Sequence, residues 1–216
     1  MAAKKTLFIT LEGPEGTGKS TLAHALAEAL GKRCEALGFH QKIVHTREPG
    51  GSKVAEQIRS LILAHAMDPL TELFLYEAAR AEHLAQTVRP ALNEGAWVIC
   101  DRYTDSTLAY QSVARGLAWA TVKRLNAFAT QGLKPNLTLL LDADPAKSLK
   151  FVRDPNRFEA EGVAFHQRVR KGFLKIAREE PRRFLVMKAR SAAPEVMAEK
   201  AAEKVMKHIE KKLRKN

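Results

Sequence analysis

Cysteine is nearly absent from this chain: Cys34 and Cys100 are the only two in 216 residues. That excludes a disulfide framework. Cys100 closes an apolar run and reads as a small core residue, so a reducing, cytoplasmic compartment is the simple expectation. No apolar run approaches the roughly 20 residues that a membrane-spanning helix needs. Residues 1–5 lead straight into the first strand and leave no room for a secretory leader. Repeats and low-complexity linkers are missing too, and the whole of 1–216 reads as one domain.

Acidic residues are scarce relative to basic ones, with 24 Asp and Glu against 36 Lys and Arg, a net charge of +12. The shortfall is local. Residues 1–149 carry 17 Lys and Arg against 15 Asp and Glu, whereas 150–190 carry 12 against 5 and 200–216 carry 7 against 2. A basic third of this kind is compatible with nucleic-acid binding. However, residues 150–216 do not interleave aromatics with the basic residues as a stacking platform does. A solvated basic face, with some arginines meeting a polyphosphate, is the preferred reading. The last helix runs from Glu195 and Glu199 to Lys211, Lys212, Arg214 and Lys215, a polarity that suits the helix dipole.

What is present is an alternation of strand-like and helical patterns. Strands are expected near 5–11, 41–46, 95–100, 136–142 and 182–187. Helices are expected near 18–37, 53–65, 69–92, 105–114, 118–132, 145–152, 158–178 and 194–214. This predicts an α/β fold: a five-stranded parallel sheet flanked by helices on both faces. In such sheets ligands sit at the carboxyl ends of the strands.

The first strand ends in Gly13-Pro14-Glu15-Gly16-Thr17-Gly18-Lys19-Ser20, followed by Thr21 and a helical stretch. This fits the P-loop pattern G-x-x-x-x-G-K-[ST] in its strand–loop–helix setting, which makes the fold a P-loop NTPase fold. Glycines let backbone N–H groups turn toward a phosphate, and the helix start adds its positive dipole end. Residues 13–21 are therefore the candidate ATP-binding segment. Lys19 would reach the β- and γ-phosphates, and Ser20 would hold Mg²⁺.

Other strand ends carry further candidates. Thr46-Arg47-Glu48-Pro49-Gly50-Gly51 is a tight turn in which Arg47 either forks to a phosphate or is a surface arginine. In Asp101-Arg102-Tyr103, Asp101 serves a Mg²⁺ ion or caps the next helix, and Arg102 can neutralise a substrate phosphate. Tyr76 and Arg80 lie four apart on one helix face. There they either stack a base and bond its edge, or are a core tyrosine and a surface arginine.

Across nearly its whole length the chain resembles the bacterial thymidylate kinases. The resemblance rests on Phe8-Ile9-Thr10-Leu11-Glu12-Gly13, Thr46-Arg47-Glu48-Pro49-Gly50-Gly51, Ala78-Ala79-Arg80, Val88-Arg89-Pro90-Ala91-Leu92 and Asp101-Arg102-Tyr103…Ser106…Ala109-Tyr110-Gln111. It implies transfer of the γ-phosphoryl group of ATP, with Mg²⁺, to dTMP. The substrate-binding set it implies is Glu15, Arg47, Tyr76, Arg80, Arg102, Ser106, Thr107, Tyr110 and Gln111. In it Glu15 faces the acceptor sugar and the metal region, Tyr76 stacks on thymine, and Arg80 bonds a thymine oxygen. Lys19, Arg47 and Arg102 are implied to be catalytic, with Ser20, Asp101 and Glu15 around the metal. The resemblance also implies a homodimer. A kinase of this fold for another nucleoside monophosphate is the alternative.

Phosphoryl transfer must exclude water, which calls for a lid. It is expected at about 151–159, between the helix over 145–152 and the next. Relatives without a P-loop arginine carry catalytic arginines in the lid. This P-loop has none, and the lid holds Arg153 and Arg157. Arg157 is preferred for its Arg-x-Glu context, although the segment is shorter than in similar chains and Asn156 replaces their Asp.

Overall fold

Largely apolar runs at Leu7–Glu12, Trp97–Asp101 and Leu137–Asp142, buried along nearly their whole length, call for helices on both sides, and that is where they lie. The computed structural model describes residues 6–152 and 157–213. Strands β1 (Leu7–Glu12), β2 (Ile43–Arg47), β3 (Trp97–Asp101), β4 (Leu137–Asp142) and β5 (Phe184–Lys188) form one sheet in the order β2-β3-β1-β4-β5. Every pairing is parallel; Leu7 stands opposite Trp97 and Leu11 opposite Asp101.

One face of the sheet is covered by α1 (Lys19–Ala36) and α9 (Pro194–Leu213). Leu7, Ile9 and Leu11 point there and pack with Leu22, Leu26, Leu30, Ala201 and Val205. The alternate residues of β1 and β3 point to the other face, as period two demands. Phe8, Val98 and Cys100 meet Leu84, Val88 and Tyr103 there. That second layer contains α2 (Lys53–Ala64), α3 (Pro69–His83), α4 (Arg89–Asn93), α5 (Thr104–Thr107), α6 (Trp119–Thr130), α7 (Pro145–Ser148) and α8 (Gly162–Glu179).

Two helices predicted as regular contain wider turns. Leu84–Val88 joins α3 to α4 as a π-helical turn, and Leu108–Ala114 continues α5 in the same form. Such turns gather at functional sites because they push extra backbone toward one side. Here the second one carries Tyr110 and Gln111, both nearly fully buried, on the cavity side. Among the described residues no helix is long and apolar enough to cross a membrane.

Candidate active site

The P-loop closes tightly against α7 and the end of β4. A Cβ on Gly13, at φ +144°, would sit 2.4 Å from the Leu141 carbonyl oxygen, and one on Gly16, at φ +70°, would sit 1.9 Å from that of Ser148. Neither position tolerates a side chain. Thr17 Oγ1 donates to the Pro14 carbonyl at 2.8 Å and steadies the turn from below. Lys19 is buried, and its Nζ lies 2.7 Å from the same Pro14 carbonyl. Burial and the nearby Arg102 bring the Lys19 ammonium down to about 8, against the opposing pull of Glu15 and Asp101.

Ser20 Oγ donates to Asp101 Oδ2 at 2.5 Å. Asp101 Oδ1 is buried and has no hydrogen-bond partner among the described residues. A hydroxyl beside an unsatisfied carboxylate oxygen is a donor set that fits Mg²⁺. The alternative of a helix cap does not hold for Asp101, because Tyr103 occupies the residue before α5.

Arg102 stands at the end of β3 with φ 73°, a left-handed conformation that costs a non-glycine residue energy and bends the side chain back over the P-loop. It donates to Gly13 O at 3.3 Å, to Ser106 Oγ at 3.2 Å and to Glu15 Oε1 at 2.9 Å. Tyr110 Oη also donates to Glu15, at 2.5 Å. Burial alone would raise the Glu15 carboxyl; Arg102, the neighbouring His166, Lys19 and Tyr110 overcome it and hold Glu15 at about 2. Glu15 is thus held by Arg102 and Tyr110.

Arg80 is not the surface arginine of the second sequence alternative. It is 2% exposed. Nε donates to Glu48 at 2.8 Å, Nη1 to Glu77 and Asn126, and Nη2 to Thr107 at 2.9 Å. One N–H of Nη2 is left for the cavity that Arg80 lines. Glu48 also accepts from His83, whose other ring nitrogen lies 2.7 Å from Thr46 Oγ1. A buried guanidinium is tolerable only with such partners.

These side chains meet around one cavity of about 380 Å³. At one end are Gly16, Gly18, Lys19, Ser20 and Thr21; at the other are Tyr76, Arg80, Ser106, Thr107, Tyr110 and Gln111. Arg47, Asp101, Arg102 and Glu15 lie between. Arg47 is exposed and pairs with Glu56 at 2.9 Å while still reaching the cavity edge. Gly13, Pro14 and Thr17 form the loop's underside and are not part of the lining.

The lid departs from the sequence expectation. Arg157 does not line the cavity. It donates to Glu72 Oε2 at 2.6 Å and to the Ile62 carbonyl, and its guanidinium covers Phe158 at 4.3 Å. The physical reason is Glu72, a fully buried carboxylate on α3 that needs cationic partners and draws Arg157 and Arg115 to it. Arg153 lies outside the described residues.

Several residues here went unremarked in the sequence. Phe158, Arg59, Pro49 and Arg190 line the cavity. Glu12, fully buried, accepts from Tyr103 N and from Ser106 Oγ, and burial with the neighbouring Asp105 pushes its carboxyl up to about 8. His166, also fully buried, links the Phe158 carbonyl, 2.9 Å from Nε2, to Glu15, 3.2 Å from Nδ1. Only Glu12 carried a signal, as a charge inside an apolar strand.

The family model described as thymidylate kinase matches residues 11–200. The chain belongs to the thymidylate kinase family. A thymidylate kinase of Syntrophotalea carbinolica is 47% identical, over 88% of this chain and 91% of that one. The thymidylate kinase of Deinococcus radiodurans is 46% identical, over 89% and 93%. The crystal structure of the thymidylate kinase from Ehrlichia chaffeensis superposes with a TM-score of 0.73 at 33% identity, covering 93% of this chain and 98% of its own. A thymidylate kinase is a transferase: it passes the γ-phosphoryl group of ATP to dTMP and makes dTDP. The parallel sheet, the P-loop and the cavity of this chain suit that reaction.

Proposed function

We propose that the cavity is a two-nucleotide site in which the P-loop end takes ATP and the Tyr76–Gln111 end takes dTMP, so that the product dTDP feeds dTTP synthesis. One observation carries this division: Arg102 is hydrogen-bonded at once to the P-loop carbonyl of Gly13, to Glu15 and to Ser106, the hinge between the two ends. In this reading Lys19 and Arg102 neutralise charge on the transferred phosphoryl group, and Arg47 does so from the rim. Glu15, held anionic and fixed by Arg102 and Tyr110, accepts from the acceptor sugar. Tyr76 stacks on the base, and Arg80, Thr107 and Gln111 read its edge. Ser20 and Asp101 would hold Mg²⁺, which would supply positive charge toward the phosphates.

Tyr76→Ala tests the acceptor half. The KM for dTMP is expected to rise about 10–100-fold, the value of a stacked ring with its hydrogen-bonded surroundings, while the KM for ATP moves less than about twofold. Steady-state kinetics with each substrate varied decides it; an equal loss for both substrates would argue against stacking at Tyr76.

The homodimer belongs to the same proposal. Leu61 on α2, Phe74 on α3 and Phe128 on α6 are exposed, at 50%, 53% and 84%. α3 packs against both α2 and α6, so the three lie on neighbouring helices. Exposed apolar side chains on adjoining elements mark an interface. Phe74→Asp should convert a dimer to a monomer in light scattering; a wild-type monomer, or an unchanged Phe74→Asp dimer, contradicts this face. A cytoplasmic location completes the reading, supported by two free, buried cysteines.

A further inference from the structure

Glu72, which holds Arg115 and Arg157, also reaches into the cavity wall. It sits on α3, fully buried, one helical turn before Tyr76. Its Oε1 accepts from Gln111 Nε2 at 2.8 Å, and its Oε2 accepts from Arg157 Nη2 at 2.6 Å. Arg115 leans on both oxygens, with Nε 3.4 Å from Oε1 and Nη2 3.3 Å from Oε2, and Arg115 is itself paired with Glu161 at 2.5 Å.

The consequence concerns Gln111. A side-chain amide has a donor end and an acceptor end, and a carboxylate only accepts. Glu72 therefore forces the NH₂ group of Gln111 toward itself and turns Oε1 the other way. That oxygen has no hydrogen-bond partner among the described residues, and Gln111 lines the cavity. The neighbouring free N–H belongs to Arg80, whose Nη2 is already anchored on Thr107. The cavity thus offers one donor and one acceptor in fixed roles. A 4-oxo pyrimidine, with a carbonyl oxygen and an N3–H, satisfies both. A 4-amino pyrimidine, with an NH₂ group and a bare N3, leaves both unmet, and buried mismatches of this kind discriminate far more strongly than shape does.

We propose that Glu72 is a positioning residue for base specificity: it sets the amide of Gln111 so that the acceptor end reads thymine or uracil and rejects cytosine. The proposal rests on the assignment of that end of the cavity to the acceptor base. Arg157 extends it to the lid. The same carboxylate that orients Gln111 anchors Arg157, and the next residue, Phe158, packs its ring 6.5 Å from Tyr76 and 6.0 Å from Tyr110.

The test compares dTMP with dCMP as acceptors for the full-length enzyme at saturating ATP and Mg²⁺. Glu72→Gln is expected to lower the ratio of kcat/KM for dTMP over dCMP by at least about tenfold, chiefly through the KM for dTMP, with the KM for ATP within about twofold of wild type. Gln111→Met should lower the ratio similarly, and adding Glu72→Gln to it should lower the ratio no further, since Glu72 acts through Gln111. Glu72→Asp keeps the charge for Arg115 and Arg157 but withdraws the oxygen from Gln111 by one methylene. It should show the same loss of ratio, and it decides the matter if Glu72→Gln fails to fold. A folded Glu72 variant in which both acceptors fall in proportion overturns the proposal, as does a Glu72→Gln effect undiminished in the Gln111→Met background. If instead wild-type enzyme shows no preference for dTMP over dCMP, the assignment of the acceptor end fails, and not merely this role for Glu72.

Discussion

Lys19→Ala reduces kcat by about 10²–10³-fold, the loss expected when one preorganised charge is taken from a phosphoryl-transfer site. The fold survives the change. Lys19 is buried, and burial with Arg102 lowers its ammonium from the ordinary 10.5 to about 8. A lysine whose folded pKa lies below its unfolded one is charged at a cost to folding, and the cost is present at pH 7, below both values. Removing the ammonium relieves that cost, offsetting the lost contacts of the side-chain stem. The melting temperature at pH 7 should therefore stay within a few degrees of wild type while turnover collapses. Coupled assays of ADP formation and a thermal melt on one preparation check both halves. Near-normal kcat would contradict the charge role; a large drop in melting temperature would contradict the cost argument.

Arg102→Ala is the second large effect, and it divides differently. The side chain holds Gly13 O, Ser106 Oγ and Glu15 Oε1, and its guanidinium lies 5.2 Å from the centre of the Tyr110 ring. After burial, which opposes it, Arg102 is the largest influence that keeps Glu15 anionic. Without it the acceptor phosphate loses a counter-charge and Glu15 loses its clamp. The expected fall in kcat/KM for dTMP is about 10³-fold, with a smaller change in the KM for ATP. Stability falls as well, by roughly 3–5 kcal/mol, because Glu15 is left as a buried carboxylate short of its main partner. Arg102→Lys should recover charge but little of the rate, since an ammonium cannot reproduce the planar fork that reaches three acceptors. A full rescue by lysine, or a loss below about tenfold for alanine, would show that Arg102 is not the hinge between the two nucleotides.

The sheet and the donor end were legible because their signals are local. Short, nearly continuous apolar runs gave all five strands to within about two residues, and the P-loop pattern identifies its glycines from spacing alone. Asp101 and Arg102 were legible as polar residues at a strand's carboxyl end. The acceptor end was legible only as a list of residues. Nothing in Ala78-Ala79-Arg80 announces that Arg80 is buried among Glu48, Glu77, Asn126 and Thr107, partners up to 46 residues away in sequence. Glu72 and His166 look like the polar positions of ordinary amphipathic helices, and only the tertiary fold turns them inward. The placement of Arg157 was hidden for the same reason. Arg157 was assigned to phosphates from its neighbours in sequence, but the pull of buried Glu72, 85 residues away, decides where it goes. The π-helical turn at Leu108–Ala114 was equally hidden, since its residues are compatible with a regular helix.

One cavity with two nucleotides and a pyrimidine acceptor bearing an N3–H can be checked by initial rates with a panel of nucleoside monophosphates at saturating ATP and Mg²⁺, following ADP and the phosphorylated acceptor together. The expected result is dTMP as the preferred acceptor, dUMP as the next, one dTDP for each ADP, and negligible ADP formation with purine monophosphates or with no acceptor. A clear preference for any acceptor other than dTMP or dUMP, or ADP formed without acceptor phosphorylation, would contradict it.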